Sequence, residues 1–215
     1  PIEFQLLQRE HFNRWYDLKP YFLAMSLRNV PLMVVLGLGF ISITYVLTDQ
    51  PLELERFTWV ATAAILTGVV SEALGQIIGS VCNITHGSTV TPAVSCILIL
   101  FCMYGAGHGK EMNPVMNIIV HSSYIRVGLI VVGNAVFRDR ASLDCIEDVY
   151  CYYQDPVRFL QDIGVDNESY KLYILGLVIY AVAFRLTAFL VIKYRLTTEI
   201  YQIIVNYATK ILRLR

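Results

Sequence analysis

The sequence contains few charged side chains for its length. Only 16% of its 215 residues are Asp, Glu, Lys or Arg, whereas hydrophobic residues make up 56%. In a typical soluble domain about a quarter of the residues are charged, so this composition excludes an ordinary soluble protein. The formal net charge is zero, which gives no indication of the basic surface typical of nucleic-acid binding. We therefore predict an all-α integral membrane protein with no nucleic-acid partner.

Motifs for nucleotide or metal chemistry are also lacking. Gly105–Lys110 resembles a phosphate-binding loop only superficially, because its glycines are too close together and Glu111 follows Lys110. His108 and His121 stand alone, whereas a metal site needs three or four ligands in suitable spacing. No signal-peptide pattern opens the chain. We predict no catalytic residue, no metal site, no ATPase site and no cofactor on this chain.

Long apolar runs dominate the sequence. Val90–Gly107 has no charged side chain and is long enough to cross a bilayer as a helix. A further apolar stretch, Ile118–Phe137, is interrupted by His121 and Arg126. Three other runs have the hydropathy of membrane spans, and they are Pro31–Leu47, Thr58–Cys82 and Lys171–Ile192. The sequence therefore predicts four or five crossings.

The charges at the two ends favour four crossings. Both the segment before the first span and the segment after the last one are basic. Lys and Arg close to spans prefer the cytoplasm, and four spans place both ends there. Ile118–Phe137 then returns to the outer face as a re-entrant helical hairpin, which must pack on protein.

This topology divides the chain into regions. Residues 1–29 form a cytoplasmic connecting and coupling region, and residues 30–193 form the membrane domain. The membrane domain includes the re-entrant segment 113–137 and an extracellular loop over 138–170. Residues 194–215 form a basic cytoplasmic tail, whose isoleucines predict a helix on the membrane surface.

Two charged side chains lie inside predicted spans, Glu72 in the second and Arg185 in the last. An ionisable group at membrane depth is costly and usually faces the bundle interior or water. Glu72 is either part of a polar relay or, as we favour, a carboxyl group hydrogen-bonded to a neighbouring helix. Arg185 either pairs with Glu72 or extends toward the end of its helix. Gly75 and Gly79 predict a small-residue ridge for helix packing.

The first segment carries an apolar stripe at helical spacing. Its members are Phe4, Leu7, His11 and Trp15. The stripe is either the buried face of an amphipathic helix at the membrane surface or a contact with a partner domain.

The predicted extracellular loop over 138–170, which is rich in Asp and Glu, contains two candidate modification sites. Cys145 and Cys151 can pair if the loop faces an oxidising compartment, which the four-span topology allows. Asn167 begins a glycosylation sequon on the same side, close to the last span. A second sequon at Asn83 falls on the cytoplasmic side, so we expect it to remain unmodified.

Several segments together resemble a known family. They are LLQREHFNRWYDLKPYFLA, SYIRVG, DRASLDC with a second Cys after five residues, VDNESYKLYILG and FRLTAFLVIKYRL. In this order and spacing, the sequence resembles the C-terminal part of the transmembrane domain of ABC half-transporters of the G subfamily, most closely the sterol-exporter branch. The resemblance extends to about Arg195.

The resemblance implies that this chain is part of a larger transporter. The four spans would be the third to sixth of six, and the ATP-binding domain, with its ATP and Mg, would precede Pro1 in a longer parent protein. Two half-transporters would form a homodimer or heterodimer around a substrate cavity. The implied substrate-path residues are Leu98, Phe101, Cys102 and Tyr104 on the fifth helix. The residues implied to couple to the ATP-binding domain are Glu3, Arg9, Glu10 and His11.

The expected function is ATP-driven export of a lipid, sterol or other amphipathic molecule across a plasma or intracellular membrane. The sequence departs from the family at Cys102–Gly105, where a Ser-Gly pair and two bulky apolar residues are usual. One alternative is a truncated partner that regulates full-length half-transporters. Another is an intramembrane enzyme built on Glu72, His108 or His121, for which the residues offer no convergent arrangement.

Overall fold

The computed structural model describes residues 2–13, 15–107, 113–138, 140, 155–163 and 170–213. These residues form eight helices and no strand. The helices are α1 (Ile2–Phe12), α2 (Leu18–Leu47), α3 (Leu54–Val81), α4 (Ile84–Gly107), α5 (Pro114–His121), α6 (Tyr124–Phe137), α7 (Pro156–Ile163) and α8 (Tyr170–Arg213).

Four helices are long and apolar enough to cross a membrane. The qualifying segments are Leu18–Leu47, Leu54–Val81, Ile84–Tyr104 and Lys171–Thr198. An α-helix rises about 1.5 Å per residue and the hydrocarbon core is about 30 Å thick, so each segment reaches across it. The predicted all-α membrane fold, with four helices of spanning length, is confirmed, and the chain is a multi-pass integral membrane protein.

Helices α5 and α6 form a bent pair, which fits either a broken span or the predicted re-entrant hairpin. They are bent by 76° at the short break between them. Their 8 and 14 residues correspond to lengths of about 12 and 21 Å, so neither crosses a hydrocarbon core of about 30 Å by itself. Much of α6 is buried, including Arg126 and Asn134. The segment thus has the protein packing that a non-spanning helix needs at membrane depth.

Helix α2 begins before the predicted first span, Pro31–Leu47. Helix α2 begins at Leu18 and runs through Pro31 without a break, so the predicted boundary between residues 29 and 30 falls inside a helix. A proline removes a single backbone hydrogen bond, and membrane helices tolerate this loss when neighbouring groups compensate for it.

Helix α4 also begins before the predicted apolar run Val90–Gly107, since it starts at Ile84 and Pro92 lies within it. The polar side chains that suggest a loop bond to the helix itself. Thr91 Oγ1 donates to the carbonyl of Gly87 at 2.8 Å, and Ser88 Oγ donates to that of Thr85 at 2.9 Å. Such back-bonding lets Ser and Thr occupy a helix interior.

The tail is not a separate helix. Helix α8 continues to Arg213, past the predicted boundary at residue 193, and the stretch 193–213 contains no Gly or Pro to end it. The predicted loop also contains a short helix, α7. Asp155 Oδ1 accepts a hydrogen bond from the Val157 amide at 3.0 Å, and Pro156 follows as the first helical residue, a combination typical of helix starts.

Helix α3 lies at the centre of the bundle and packs on α2, α6 and α8. One apolar cluster joins α3, α6 and α8 and consists of Ala63, Val127, Val131 and Leu177. A second joins α2, α3 and α6 and consists of Ile41, Val60, Ala61 and Ala135. The bundle therefore buries the hairpin helix α6 against two spans.

Helix α1 packs on the middle of α8. Phe4 and Leu7 are buried against Ile192 and Leu196, whereas Trp15 lies beyond the helix and is 70% exposed. The predicted stripe therefore ends before Trp15, and its first two members pack on another helix of the same chain. This cluster places α1 beside α8.

Candidate functional site

A polar cluster centred on Glu72 joins three spans. Arg185 Nη2 of α8 donates to Glu72 Oε2 at 2.6 Å. Asn29 Nδ2 of α2 and Gln76 Nε2 of α3 donate to Glu72 Oε1 at 2.9 and 3.1 Å. All three partners are donors, so both carboxylate oxygens act as acceptors, as they do in an ionised carboxylate.

The ion pair lies within the bundle. The side chains of Arg185 and Glu72 retain only 17% and 18% of their exposed area. The Nη1 atom of Arg185 is buried and has no hydrogen-bond partner among the described residues. Between the two readings of Arg185, the structure therefore places its guanidinium on Glu72, and the two charges offset each other where hydration is weak.

Two members of the cluster were not identified from the sequence. Gln76 lies four residues after Glu72, a spacing that brings side chains together on a helix face, so it was detectable in principle. Asn29 is 43 positions from Glu72 and comes from a different helix, so no local spacing indicates this contact. The cluster is thus a tertiary feature that couples α2, α3 and α8.

A cavity of about 480 Å³ adjoins the cluster. It lies between α1, α2, α3 and α8, with Asn29, Glu72 and Gln76 among its lining residues and Glu3 on the α1 side. Gly75 and Gly79, predicted to pack against a helix, also line it. A Cβ atom added to Gly75 would meet nothing within 4 Å, so this part of the ridge faces space.

The predicted substrate-path residues on α4 do not share one face. Cys102 is only 3% exposed and points into the chain, whereas Tyr104 is 42% exposed. Leu98 and Phe101 are half-buried between these two directions. Leu98, Phe101 and Tyr104 can therefore belong to one open surface of α4. Cys102 cannot, because its side chain is buried.

Two of the four predicted coupling residues hold α1 in place. Glu3 pairs with Arg28 of α2, and Glu10 accepts a hydrogen bond from the Tyr16 hydroxyl. Burial and the bond to Glu10 raise the pKa of Tyr16 well above its ordinary value, so this hydroxyl remains a donor at neutral pH.

The other two coupling residues differ in exposure. Arg9 is exposed, which leaves its guanidinium accessible for contact with another domain. The Nδ1 atom of His11 is buried and has no hydrogen-bond partner among the described residues.

Other predicted sites give no constellation. Cys145, Cys151, Asn167 and His108 lie outside the described residues. His121 is exposed, with Nδ1 2.9 Å from the carbonyl oxygen of Asn117. Within the described ranges, no three His, Cys, Asp or Glu side chains lie close enough to hold a metal ion.

These features define a class of protein, a polytopic membrane domain whose spans are joined by an internal ion pair. Residues 1–132 match the model of the ABC-2 type transporter membrane family. Because this match covers more than half of the chain, the chain belongs to the ABC-2 type transporter family.

Two relatives come from the G family of ABC transporters. ABC transporter G family member 1 of Dictyostelium discoideum is 26% identical over 190 residues, which are 83% of this chain and 23% of that protein. ABC transporter G family member 14 of Arabidopsis thaliana is 22% identical over 191 residues, which are 88% of this chain and 28% of that protein. The chain thus spans about a quarter of the length of these relatives. The expected resemblance to G-subfamily membrane domains is confirmed.

Proposed function

We propose that this chain is part of the membrane domain of an ATP-driven exporter of lipid, sterol or another amphipathic molecule. The observation that carries the proposal is the ABC-2 family match, with relatives named as ABC transporters of the G family. A transporter of this class needs an ATP-binding domain, which would bind ATP and Mg outside the residues of this chain. A second half-transporter, identical or different, would complete the substrate path.

The contacts of α1 suggest how force would reach the spans. Leu7 packs on Leu196 of α8, and the Arg195 guanidinium lies 4.7 Å from the centre of the Phe4 ring. Helix α8 also carries Arg185, which holds Glu72 of α3. A push on α1 from the ATP-binding domain would therefore reach α3 through a continuous series of packed side chains. ATP moves such an equilibrium only if it binds the two states differently.

The substrate would pass along α4. Leu98 and Phe101 are half-buried and Tyr104 is more exposed, so these side chains can contact an apolar molecule at membrane depth. Burial of apolar surface contributes about 25 cal/mol per Å², which favours amphipathic substrates over ions. Cys102, which is buried, would lie behind this surface.

Transport by the full-length protein, paired with its half-transporter partner in proteoliposomes, tests the proposal. We expect ATP-dependent movement of a fluorescent sterol or phospholipid across the bilayer. Leu98→Trp should slow that movement roughly tenfold, which corresponds to about 1.4 kcal/mol, because the larger ring narrows the path.

Met103→Trp is the matched control, since Met103 is on the same helix, is 61% exposed, and lies about 100° or more around the helix from Leu98, Phe101 and Tyr104. Equal rates in both variants would remove Leu98 from the path. No ATP-dependent movement of any lipid probe by the wild-type assembly would overturn the export function and favour a regulatory partner instead.

A further inference from the structure

We propose that the cavity between α1, α2, α3 and α8 is a binding site for the uncharged apolar body of a membrane lipid. The site is separate from the proposed path on α4, and its occupation does not depend on transport. At about 480 Å³, it falls within the range of small-molecule sites.

The lining favours an apolar occupant. Phe4 and Leu7 of α1, Met25 of α2 and Ile192 of α8 supply hydrophobic walls. Gly75 of α3 adds a stretch of bare backbone, and the space in front of it is open. An apolar body that fills this space would gain from burial of its surface.

The charges around the cavity exclude a charged occupant. Each of its two carboxylates already has an arginine partner, because Glu3 pairs with Arg28 and Glu72 pairs with Arg185. Asn29 also donates to Glu72, whereas Gln76 Oε1 at this end is buried without a hydrogen-bond partner among the described residues and can accept one from a neutral hydroxyl group. A buried ionised group without a partner costs several kcal/mol, so the body that enters should be neutral.

The position of the cavity supplies the lipid. Tyr21 and Asn29 of α2 both line it, and their eight-residue separation corresponds to about 12 Å along the helix. The cavity therefore follows the first part of α2, and it is partly open to the surroundings. The Arg28 side chain, next to Asn29, is 62% exposed, so this part of α2 lies at the membrane interface, where sterols and the upper parts of acyl chains are the available apolar bodies.

The occupant would contact two functional elements at once. It would lie against α1 through Phe4 and against the Glu72 cluster through Asn29 and Gln76. A molecule that fits only while α1 lies on α8 would stabilise that arrangement, since a ligand shifts an equilibrium by its differential affinity. The cavity would thus make the position of α1 depend on membrane composition.

Photolabelling of the full-length protein tests the site. The protein is placed in nanodiscs without ATP, with either a diazirine sterol or phosphatidylcholine carrying a diazirine acyl chain, and adducts are mapped by mass spectrometry. We expect adducts on residues 21–29 or 75–80 with at least one probe, and the labelled probe identifies the source of the apolar body. Labelling by neither probe would overturn the proposal and indicate that another part of the protein fills the cavity.

A substitution that fills the cavity sharpens the test. Gly75→Leu should reduce labelling roughly tenfold, the change that a loss of about 1.4 kcal/mol produces. Gly39→Leu on α2 is the control, because Gly39 also has open space around its missing Cβ but does not line the cavity. Unchanged labelling in Gly75→Leu, or equal losses in both variants, would contradict the proposal. If Gly75→Leu does not fold, the map of adducts on the wild-type protein is the test. Adducts found only outside residues 21–29 and 75–80 would contradict the proposed binding site.

Discussion

Glu72 shows how one residue can join three membrane helices. Its carboxylate accepts hydrogen bonds from α2, α3 and α8 through Asn29, Gln76 and Arg185. Removing one member of a buried ion pair costs more than removing both, because the remaining charge stays buried without a partner. The cluster therefore makes the relative positions of three spans depend on a single side chain.

The first prediction at this scale concerns the loss of that carboxylate. Glu72→Leu leaves Arg185 without its counter-charge and should destabilise the folded state by about 3 kcal/mol or more. Glu72→Leu combined with Arg185→Leu should recover most of this loss. Thermal unfolding of the purified full-length protein in one detergent measures both effects. A double variant less stable than Glu72→Leu would show that the two side chains do not act as a pair.

Sequence reasoning identified the two charges but not the whole cluster. Hydropathy makes Glu72 and Arg185 conspicuous inside apolar runs, and their pairing was one of two stated alternatives. Asn29 is polar but uncharged and lies near the predicted edge of its span, so its role depends on how α2 packs against α3. That packing angle is a tertiary property with no local signal.

At the scale of elements, the hairpin depends on close contacts with α3 and α8. Tyr180 of α8 donates from its hydroxyl to the carbonyl of Ser122 at 3.0 Å, at the position where the hairpin bends. Ser71 of α3 and Tyr124 of α6 share a hydrogen bond of 3.1 Å. Gly128 lets α6 approach α3, because a Cβ there would lie 2.6 Å from Thr67 Oγ1.

The second prediction tests that approach. Gly128→Ala should lower stability by about 1–3 kcal/mol, the usual cost of overpacking, and thermal unfolding measures the change. Gly133→Ala on the same helix is the control, since its nearest contact would be an ordinary 3.9 Å from Leu160. Adding Thr67→Ala to Gly128→Ala should restore stability, because the clashing atom is then gone. Persistent destabilisation in that double variant would mean that the glycine is required for another reason.

The number of apolar spans was predictable, but the ends of the helices were not. Four apolar runs and one interrupted stretch define the spans and the hairpin, because hydrophobic length is set by the bilayer. The starts of α2 and α4 were misplaced since Pro31 and Pro92 normally mark boundaries in water. Helix α7 was missed because only Asp155 and Pro156 announce it, and two residues are a weak signal in a polar loop.

At the scale of the whole molecule, the hairpin decides on which side of the membrane the later segments lie. If α5 and α6 return to the face they started from, α7 and the start of α8 share a side with the loop between α2 and α3. If the pair crosses instead, α7 changes sides and the basic end of α8 leaves the cytoplasm. The positive-inside rule and the 14-residue length of α6 both favour the return.

The third prediction measures this directly. Asp162 is exposed on α7 and Asp49 is exposed in the loop between α2 and α3, so Asp162→Cys and Asp49→Cys should both react with a membrane-impermeant maleimide applied to intact cells. Asn83→Cys, at the exposed turn between α3 and α4, should react only after permeabilisation. Each variant is compared with the same background lacking the added cysteine, in which Cys82, Cys96, Cys102, Cys145 and Cys151 are replaced by alanine. If Asp162→Cys reacts only after permeabilisation, as Asn83→Cys should, while Asp49→Cys reacts on intact cells, the chain has five crossings. That result would place α1 and the basic end of α8 on opposite sides of the membrane. A push on α1 from a cytoplasmic ATP-binding domain could then not pass to the basic end of α8.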